Sequence, residues 1–481
     1  MNQRKTGSQD QSSQAFDAFD AFANAIFKLA ETFLKSLFEI FKGISYGTIP
    51  YFKLGIITGI LCLIILFEID YKVLNLFGFG YLYPKNATLF SIYKWMIVSS
   101  PWWIWGMAQM GKKKRFQKMI DDVIHFSNLK AANDRHKGLD FIFDKKNPDG
   151  ISYMRLKQNA IPISDLEKAK SNFEAKFQIY IDSFERVDGG EVDINYSKIP
   201  LTSNYRFNFS EVNGMDEFIV GKTLFKTVKA DFSKTPHFLV AGQTGGGKSS
   251  FLRQLSVTLL KNDPESELTM IDLKRGAEFD IFENIPRVNV AKDMDSAILR
   301  LNQVEKLLDK RLSESGGGLY GRRSYNKTNF TRHVVIVDEI AEIFVAGSEF
   351  SEQKEDIKKA KAILSKIARL GRSVNINAVL ATQRPDVKAL DSQIKANLSG
   401  VICYTMPNDA SSKVVLDRGS ATDLPLISGR AIYKNGSSYM EVQTPYLSKD
   451  IAYRELKEFY TKDEEKIMVP KNDEYFESAE F

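Results

Sequence analysis

The chain has 481 residues, a length that allows two or three domains. Its composition, 43% hydrophobic and 26% charged, is that of a globular protein, and the net charge of +6 permits a polyanionic partner without requiring one. Two cysteines and four histidines indicate neither a disulfide framework nor a thiolate metal site, so the bulk of the chain is predicted to be cytosolic.

Residues 1–48 are predicted to form a disordered start followed by an amphipathic helix. The first fifteen residues are polar and rich in Gln and Ser. Over residues 15–44, apolar side chains recur at spacings of three and four, with Lys and Glu on the other face. The pattern fits a helix that packs on its own protein or in a coiled coil. It equally fits a helix that lies on a membrane surface.

Residues 49–111 are predicted to form a membrane domain. Two apolar stretches, at about 50–69 and 88–110, approach the roughly 20 residues that a transmembrane helix needs. The basic cluster 112–115 follows the second stretch, and positive charge marks the cytoplasmic side of a membrane. We therefore expect a multi-pass protein with its N-terminus and everything after residue 111 in the cytoplasm. The alternative is that both stretches are buried core helices.

Residues 112–219 are predicted to form a small cytoplasmic α+β adaptor domain. Residues 164–167, Ser-Asp-Leu-Glu, fit a helix capping box. Apolar residues from Leu166 to Phe184 then follow at helical spacing, which predicts one helix. Nothing in this segment indicates catalysis.

A phosphate loop begins the motor, which is predicted to span residues 220–447. Residues 236–250 read PHFLVAGQTGGGKSS, an apolar strand followed by G-x-x-x-x-G-K-[ST] and a helical pattern. Glycines let backbone N–H groups converge on a polyphosphate, and the helix N-terminus adds partial positive charge. The alternative is a Gly-rich turn between strand and helix. The predicted nucleotide-binding residues are Gly242, Gln243, Thr244, Gly245, Gly246, Gly247, Lys248, Ser249 and Ser250.

Within this loop, Lys248 is expected to reach the β- and γ-phosphates of ATP, and the Ser249 hydroxyl to bind Mg²⁺. The segment 313–327, SESGGGLYGRRSYNK, is Gly-rich and basic. Its Arg322, Arg323 and Lys327 suit contacts to a DNA backbone, or the segment is a solvated surface loop.

Two carboxylates follow a buried strand at 333–337. An apolar strand that ends in Asp338 and Glu339 fits a Walker B motif. Asp338 would hold the magnesium and its water shell, and Glu339 would orient and deprotonate the attacking water.

Further strands are predicted at 268–272, 376–383 and 401–405, and a hairpin at 430–442 around Asn435-Gly436. Gln383 ends its strand and is a candidate sensor of the γ-phosphate, or simply a polar residue at a strand end. A helix at 353–370 would display Arg369 and Arg372 on one side. Arg372 is a candidate finger for a neighbouring subunit's site, or a solvated arginine. Residues 448–481 are predicted to form an acidic tail.

Several of these motifs together resemble the FtsK/SpoIIIE family of DNA translocases. The phosphate-loop segment is similar to that family's P-H-x-L-V-A-G segment, and residues 381–398, ATQRPDVKALDSQIKANL, to its A-T-Q-R-P…I-K-A-N segment. Residues 270–274, MIDLK, and 413–424, KVVLDRGSATDL, match two further segments. The resemblance covers about 220–435. It implies a RecA-like P-loop NTPase fold of the α/β class, ATP and Mg²⁺ as cofactors, and a ring, a homo-hexamer, around DNA.

The chain also departs from the family. The R-A-A-G box is Arg372-Ser-Val-Asn375 here, which keeps the arginine but loses the glycine. About 35 residues follow the hairpin, fewer than the family's C-terminal winged-helix domain needs. Two predicted spans and a small adaptor resemble the short conjugative members of the superfamily. Those are coupling proteins that bring a relaxase–DNA complex to a type IV secretion channel at the bacterial inner membrane.

The leading hypothesis is therefore a membrane-anchored, ring-forming ATPase that moves DNA in conjugation. The alternatives are a chromosome-segregation DNA translocase, a protein-export ATPase of a secretion system, and a membrane-tethered docking protein with a vestigial site. Intact Lys248, Ser249, Asp338 and Glu339 argue against the last of these.

Overall fold

Apolar segments of five to eight residues alternate with amphipathic helices through most of the chain, which is the pattern of an α/β protein. A computed structural model describes residues 51–66, 69–77, 87–129, 138–147, 151–158, 161–212, 214–274, 276–315, 330–344, 354–385 and 392–460. The chain divides into two compact units, residues 1–198 and 199–481.

The first unit begins with three helices, α1 (Tyr51–Leu66), α2 (Ile69–Leu76) and α3 (Ala87–Phe126). Trp102 on α3 donates to the Thr58 hydroxyl on α1 at 3.3 Å. Within the described part of the chain, no helix combines the length and the apolar composition that crossing a membrane requires. The two predicted spans are thus not confirmed. The amphipathic helix predicted over 15–44 lies outside the described residues.

The rest of the first unit is a small α+β fold, as the sequence predicts for the adaptor. Its four antiparallel strands have the order β1-β2-β4-β3. One face of this sheet packs against the carboxyl half of α3 and against two short helices, with Ile120, Met154 and Phe173 fully buried between them. The remaining elements are β1 (Leu139–Lys146), β2 (Ser152–Gln158), α4 (Ile163–Lys168), α5 (Lys170–Phe177), β3 (Tyr180–Val187) and β4 (Glu191–Ser197).

The prediction of one helix from Leu166 to Phe184 is wrong. The helical segment ends at Gln178, whose φ of 53° is left-handed, and a strand begins at Tyr180. Phe184 keeps an inward position, three residues after the buried Ile181, because the strand register shifts between Ile181 and Ser183. The predicted capping box is also wrong, since Pro162 is the N-cap of α4 and no side chain caps the helix.

The second unit is built on a ten-stranded sheet with the order β6-β5-β14-β13-β12-β7-β11-β10-β8-β9. Six neighbouring strands, β12 to β9 in this order, are parallel, and the other four are antiparallel. The strands are β5 (Glu217–Lys222), β6 (Thr227–Asp231), β7 (His237–Ala241), β8 (Glu267–Ile271), β9 (Val288–Ala291), β10 (His333–Val337), β11 (Ile376–Thr382), β12 (Gly400–Tyr404), β13 (Arg430–Asn435) and β14 (Ser438–Gln443).

Helices cover both faces of this sheet, so the central parallel strands β7, β10 and β11 are buried along their whole length and are mostly apolar. One core includes Phe251, Leu255 and Leu456 from the helices of one face, and a second includes Leu301, Ile363 and Val415 from those of the other. The helices are α6 (Lys248–Asn262), α7 (Met294–Glu314), α8 (Ile340–Phe344), α9 (Lys354–Leu370), α10 (Ser392–Asn397), α11 (Asp409–Leu416) and α12 (Lys449–Leu456).

The predicted α/β P-loop NTPase-like fold is confirmed, and the strands predicted at 268–272, 333–337, 376–383 and 401–405 are within one residue of their observed bounds. The hairpin turn is shifted by one residue, because Asn435 pairs with Ser438 and the turn is Gly436-Ser437. The second unit begins at Ile199, whereas the sequence placed the start of the motor at 220. Residues from 201 on belong to it, since Arg430 donates to the Leu201 and Thr202 carbonyls.

All parallel strands of a sheet begin at one edge and end at the opposite edge. The carboxyl edge is defined here as the one where β7, β8, β10, β11 and β12 end, and the amino edge as the one where they begin. The phosphate-loop strand β7 lies between β11 and β12, and β10 lies beyond β11. The carboxyl edge therefore brings residues 242–249, 338–339 and 383 together, as is usual for ligand sites in α/β sheets.

Candidate nucleotide-binding site

The phosphate loop joins β7 to α6 at the centre of the sheet. Its first two residues continue the sheet pairing, since Gly242 N–H donates to the Thr382 carbonyl and Gln243 N–H to the Thr405 carbonyl, both at 3.2 Å. Gly247 is the N-cap of α6, with a left-handed φ of 118° that favours glycine. The loop thus ends on a helix N-terminus, where backbone N–H groups favour an anion.

The buried Tyr404 leaves no room for a side chain at Gly242 or Gly247. A Cβ on Gly242 would lie 2.5 Å from the Tyr404 Cβ. A Cβ on Gly247 would lie 3.0 Å from both the Tyr404 ring and the Gly429 Cα. The loop is therefore a backbone-lined cradle, which fits the phosphates of a nucleoside triphosphate.

Lys248 lies inside the cradle and is 5% exposed. Its Nζ donates to the Gly242 carbonyl at 2.5 Å and to the Gln243 carbonyl at 3.4 Å. Burial lowers the pKa of Lys248 to about 8, although the charges of Glu339 and Asp338 act in the opposite direction. An ammonium group held on loop carbonyls can transfer its hydrogen bonds to phosphate oxygens, which compensate its burial better.

Two segments from the end of the motor hold the loop from outside. The Ser428 hydroxyl donates to the Gly245 carbonyl at 3.2 Å, and Gly429 N–H donates to the Gly246 carbonyl at 2.9 Å. The Ser250 hydroxyl accepts from the Leu447 N–H at 3.0 Å. Sequence reasoning missed these partners, because they lie almost 200 positions away in the chain.

Asp338 ends β10 beside the loop and is 3% exposed. Burial, together with the charge of Asp272 at the end of β8, raises the pKa of Asp338 to about 6. Lys274 and Lys248 oppose this rise. A buried carboxyl with a raised pKa gains from a cation beside it, so this position suits the predicted magnesium role.

Glu339 follows directly and is 6% exposed. Its Oε1 accepts from the Thr382 hydroxyl at 2.8 Å, and its Oε2 accepts from the Gln383 N–H at 2.8 Å. Lys274 Nζ lies 3.9 Å from Oε2. The carboxylate is thus fixed at the carboxyl edge, which a general base for hydrolysis needs.

Gln383 lies where the sequence places a phosphate sensor. Its side-chain oxygen accepts from the Thr244 hydroxyl of the phosphate loop at 2.7 Å. Since its N–H also bonds Glu339, the residue bridges the phosphate loop and the candidate base. This geometry supports the sensor interpretation over that of an unrelated polar residue at a strand end.

Arg372 lies at the other edge of the sheet. It belongs to the 3₁₀ turn Gly371–Val374, which precedes β11. Burial, together with the charge of Arg372, lowers the pKa of His237 at the start of β7 to about 4. Seven strand residues, about 20 Å at ~3.3 Å each, separate this turn from the phosphate loop, so Arg372 is out of reach of its own subunit's loop. The finger in a neighbouring subunit stays a prediction.

The predicted DNA-binding residues Arg322, Arg323 and Lys327 lie outside the described residues, as does the predicted tail 448–481 from residue 461 on. The start of that segment is not a tail, because α12 packs Leu456 into the motor core. Three residues at the site had no predicted role: Thr382, Lys274 and Asp272. For Asp272 and Lys274 a signal was present, since a strand ending in a carboxylate repeats the pattern of β10.

Comparison with known proteins agrees with this geometry. Residues 219–314 match the FtsK/SpoIIIE family. DNA translocase FtsK of Helicobacter pylori (strain J99) is 33% identical over 206 residues, which cover 40% of this chain and 23% of that protein. DNA translocase FtsK of Clostridium tetani is 28% identical over 273 residues, 53% of this chain and 35% of that protein. The chain thus spans about a quarter to a third of the length of these relatives.

A solved structure, the pCW3 conjugation coupling protein TcpA in its monomer form with ATPgS, is also similar. It has 26% sequence identity and a TM-score of 0.50, and the match covers 71% of this chain and 98% of that one. The predicted resemblance to FtsK/SpoIIIE translocases and to their conjugative branch is confirmed by these matches.

Proposed function

We propose that this protein is an ATP-driven DNA translocase that serves as a coupling protein in conjugative DNA transfer. The observation that carries the proposal is the carboxyl edge itself, where the phosphate loop meets Asp338, Glu339 and Gln383. The phosphate loop lies in the stretch 219–314 that matches the FtsK/SpoIIIE family. The similarity to a conjugation coupling protein over nearly all of that protein's solved chain supports the conjugative role over the chromosome-segregation and protein-export alternatives.

In this proposal the cradle of residues 242–250 binds ATP through backbone N–H groups, and Lys248 moves from the loop carbonyls to the phosphates. Ser249 and Asp338 hold Mg²⁺, which neutralises phosphate charge when bound. Glu339 orients the attacking water and accepts its proton. Gln383 contacts the γ-phosphate through the side chain that bonds Thr244 in the structure.

The motor is proposed to act as a ring, with six copies around DNA. Arg372, at the amino edge and exposed, would complete the site of the next subunit, since it is out of reach of its own. Mixed rings test this. An Arg372→Ala subunit has an intact nucleotide site but lacks the finger. A Glu339→Gln subunit has an intact finger but lacks the catalytic base. Hydrolysis by the mixture above the sum of the separate variants supports the finger, and wild-type hydrolysis by Arg372→Ala alone rules it out.

The partners are proposals as well. DNA would bind through phosphate contacts of Arg322, Arg323 and Lys327 and hence with strong salt dependence. A relaxase–DNA complex and type IV secretion channel proteins would be the partners at the bacterial inner membrane. For the membrane location, cell fractionation of the full chain is the test: recovery in the soluble fraction without detergent would contradict it.

The central experiment measures ATP hydrolysis by the purified full chain with and without double- or single-stranded DNA, at low and physiological salt. Lys248→Ala and Glu339→Gln are the controls for the site. We expect DNA to stimulate hydrolysis several-fold, and this stimulation to fall as salt rises. A confirmed oligomer with neither DNA binding nor stimulation at low salt would refute the DNA-motor proposal.

The conjugative role is tested in cells that carry the conjugative element. Replacing the gene with its Lys248→Ala version should abolish transfer of the element to recipients while growth and cell length stay normal. Normal transfer together with a chromosome-segregation defect would instead support the segregation alternative.

A further inference from the structure

We propose that Thr382 is a positioning residue for hydrolysis: its hydroxyl holds the Glu339 carboxylate in the orientation that the attacking water needs. The inference deepens the proposed ATPase function and depends on it.

The parallel register places the two residues side by side. Val337 on β10 pairs with Leu380 on β11, and Glu339 and Thr382 each lie two positions further along. Thr382 is the last residue of β11, and Glu339 lies two residues past the end of β10. The two side chains therefore meet at the carboxyl edge, where the Thr382 hydroxyl donates to Glu339 Oε1 at 2.8 Å.

Burial strengthens the hydrogen bond between Thr382 and Glu339. Thr382 is fully buried and Glu339 is 6% exposed, so little water is available to replace the hydroxyl. A hydrogen bond to a charged group in such surroundings is stronger than one in water. Thr382 holds Oε1 and the Gln383 N–H holds Oε2 at 2.8 Å, so the two bonds together fix the orientation of the Glu339 carboxylate.

Oε1 also accepts from the Ala341 N–H at 3.3 Å, and the Lys274 ammonium lies 3.9 Å from Oε2. Both contacts are longer than those of Thr382 and Gln383, so the carboxylate can exchange them for a bond to water. The Thr382–Gln383 pair also contacts the phosphate loop, since the Gln383 side chain bonds Thr244. The orientation of Glu339 is thus set from the same two residues that meet the nucleotide cradle.

The Thr382 hydroxyl has one further partner, the Arg384 N–H, which donates to it at 3.1 Å. Serine keeps the hydroxyl with both its bonds, whereas valine keeps the shape and loses both. Thr382→Val and Thr382→Ser therefore separate the hydroxyl from the packing of the side chain.

The test is the steady-state ATPase of the full chain with these two variants. Thr382→Val should lower kcat about tenfold to a hundredfold, the range that misplacement of a catalytic group produces, with KM for ATP within about twofold of wild type. Thr382→Ser should restore kcat to within about threefold. An unchanged kcat for Thr382→Val, or a loss that appears in KM alone, would overturn the inference.

Two comparisons exclude a general structural effect. Thr258→Val removes another buried threonine hydroxyl, which donates to the Gln254 carbonyl within α6, and should leave kcat unchanged. In the Glu339→Gln background, Thr382→Val should add less than about a twofold further loss, because a residue that acts through Glu339 has nothing left to position. Full additivity of the two losses would overturn the inference.

The outcome also separates the inference from the proposed function. If wild type does not hydrolyse ATP, or Lys248→Ala hydrolyses as fast as wild type, the proposed function fails. If wild type is active, Lys248→Ala is inactive and Thr382→Val equals wild type, only the role of Thr382 fails.

Discussion

The amino and carboxyl edges of the ten-stranded sheet both bury charged side chains. At the amino edge Arg332 is 3% exposed, and its guanidinium bonds the Asp216 carboxylate and the buried amide of Asn377. At the carboxyl edge Lys248 is 5% exposed, yet it bonds main-chain carbonyls of its own loop. The carboxyl of Asp338 lies there beside the charge of Asp272.

The difference distinguishes buried charges that stabilise the fold from buried charges that are placed to bind a ligand. A buried charge with an opposite partner stabilises the folded protein against loss of that partner. A buried charge with neutral or like-charged neighbours is costly until a ligand supplies the missing charge. Substitutions at the two edges should therefore have opposite consequences for stability and activity.

The largest effect is expected from Lys248→Ala. Loss of the ammonium group should reduce ATP hydrolysis at least about a hundredfold, since a preorganised donor to the phosphates is lost. The thermal midpoint should change little, because the charge removed was costly to bury. ATPase rate and thermal unfolding are measured together, with the exposed Lys234→Ala, near the amino edge, as control. Substantial hydrolysis by Lys248→Ala would mean that the carboxyl edge is not the nucleotide site.

At the amino edge, Arg332→Met should lower the free energy of unfolding by about 3 kcal/mol, since the Asn377 amide oxygen then stays buried without its donor. The kcat per folded molecule should stay within about twofold of wild type. Urea unfolding and ATPase titration of the same preparation test this. A large fall in kcat with unchanged stability would remove the distinction between the two edges.

Asp338→Asn should have the opposite effect: it should raise the stability of the protein and abolish ATP hydrolysis. The pKa of Asp338 is raised to about 6 by burial, above its unfolded value near 3.8. The folded protein then binds more protons than the unfolded chain between about pH 4 and pH 6, so its stability falls as pH rises through this window. Asparagine removes that loss and should stabilise the nucleotide-free protein at pH 7 on the order of 2 kcal/mol, while hydrolysis is lost.

Urea midpoints from pH 4 to pH 8 check this prediction. The difference between Asp338→Asn and wild type should grow from pH 4 to pH 6 and then stay constant. A variant that is less stable than wild type at pH 7 would show that Asp338 is a structural group like those of the amino edge.

The smallest effect at neutral pH is expected at His237, whose pH dependence has the opposite sign. Burial, with the Arg372 charge, lowers the pKa of His237 to about 4, below its unfolded value near 6.5. Stability from this group is present above pH 6.5 and is lost as pH falls toward 4. His237→Asn keeps an acceptor for the Ala378 N–H and should reduce this acid sensitivity. If the urea midpoint of His237→Asn falls below pH 6.5 as steeply as that of wild type, His237 does not cause the acid sensitivity.

Sequence patterns predicted most of the second unit because its parallel strands are buried on both faces. Such strands are uninterrupted apolar runs, and the glycines and carboxylates that end them mark the carboxyl edge. In the first unit the same reading was wrong between Tyr180 and Phe184. The sheet of the first unit is covered on one face, so its strands are not continuous apolar runs. The left-handed conformation of Gln178, which ends the helix, is not indicated by any sequence pattern.

The sequence by itself determined the phosphate loop, the two carboxylates after β10 and Gln383, since each requires a particular residue type at a fixed short spacing. Only the tertiary structure decided that Thr382 holds Glu339, that Ser428 and Gly429 support the loop, and that Arg372 lies at the opposite edge. These relations join residues from about 40 to almost 200 positions apart. Sheet order and strand register set them, and neither follows from local spacing.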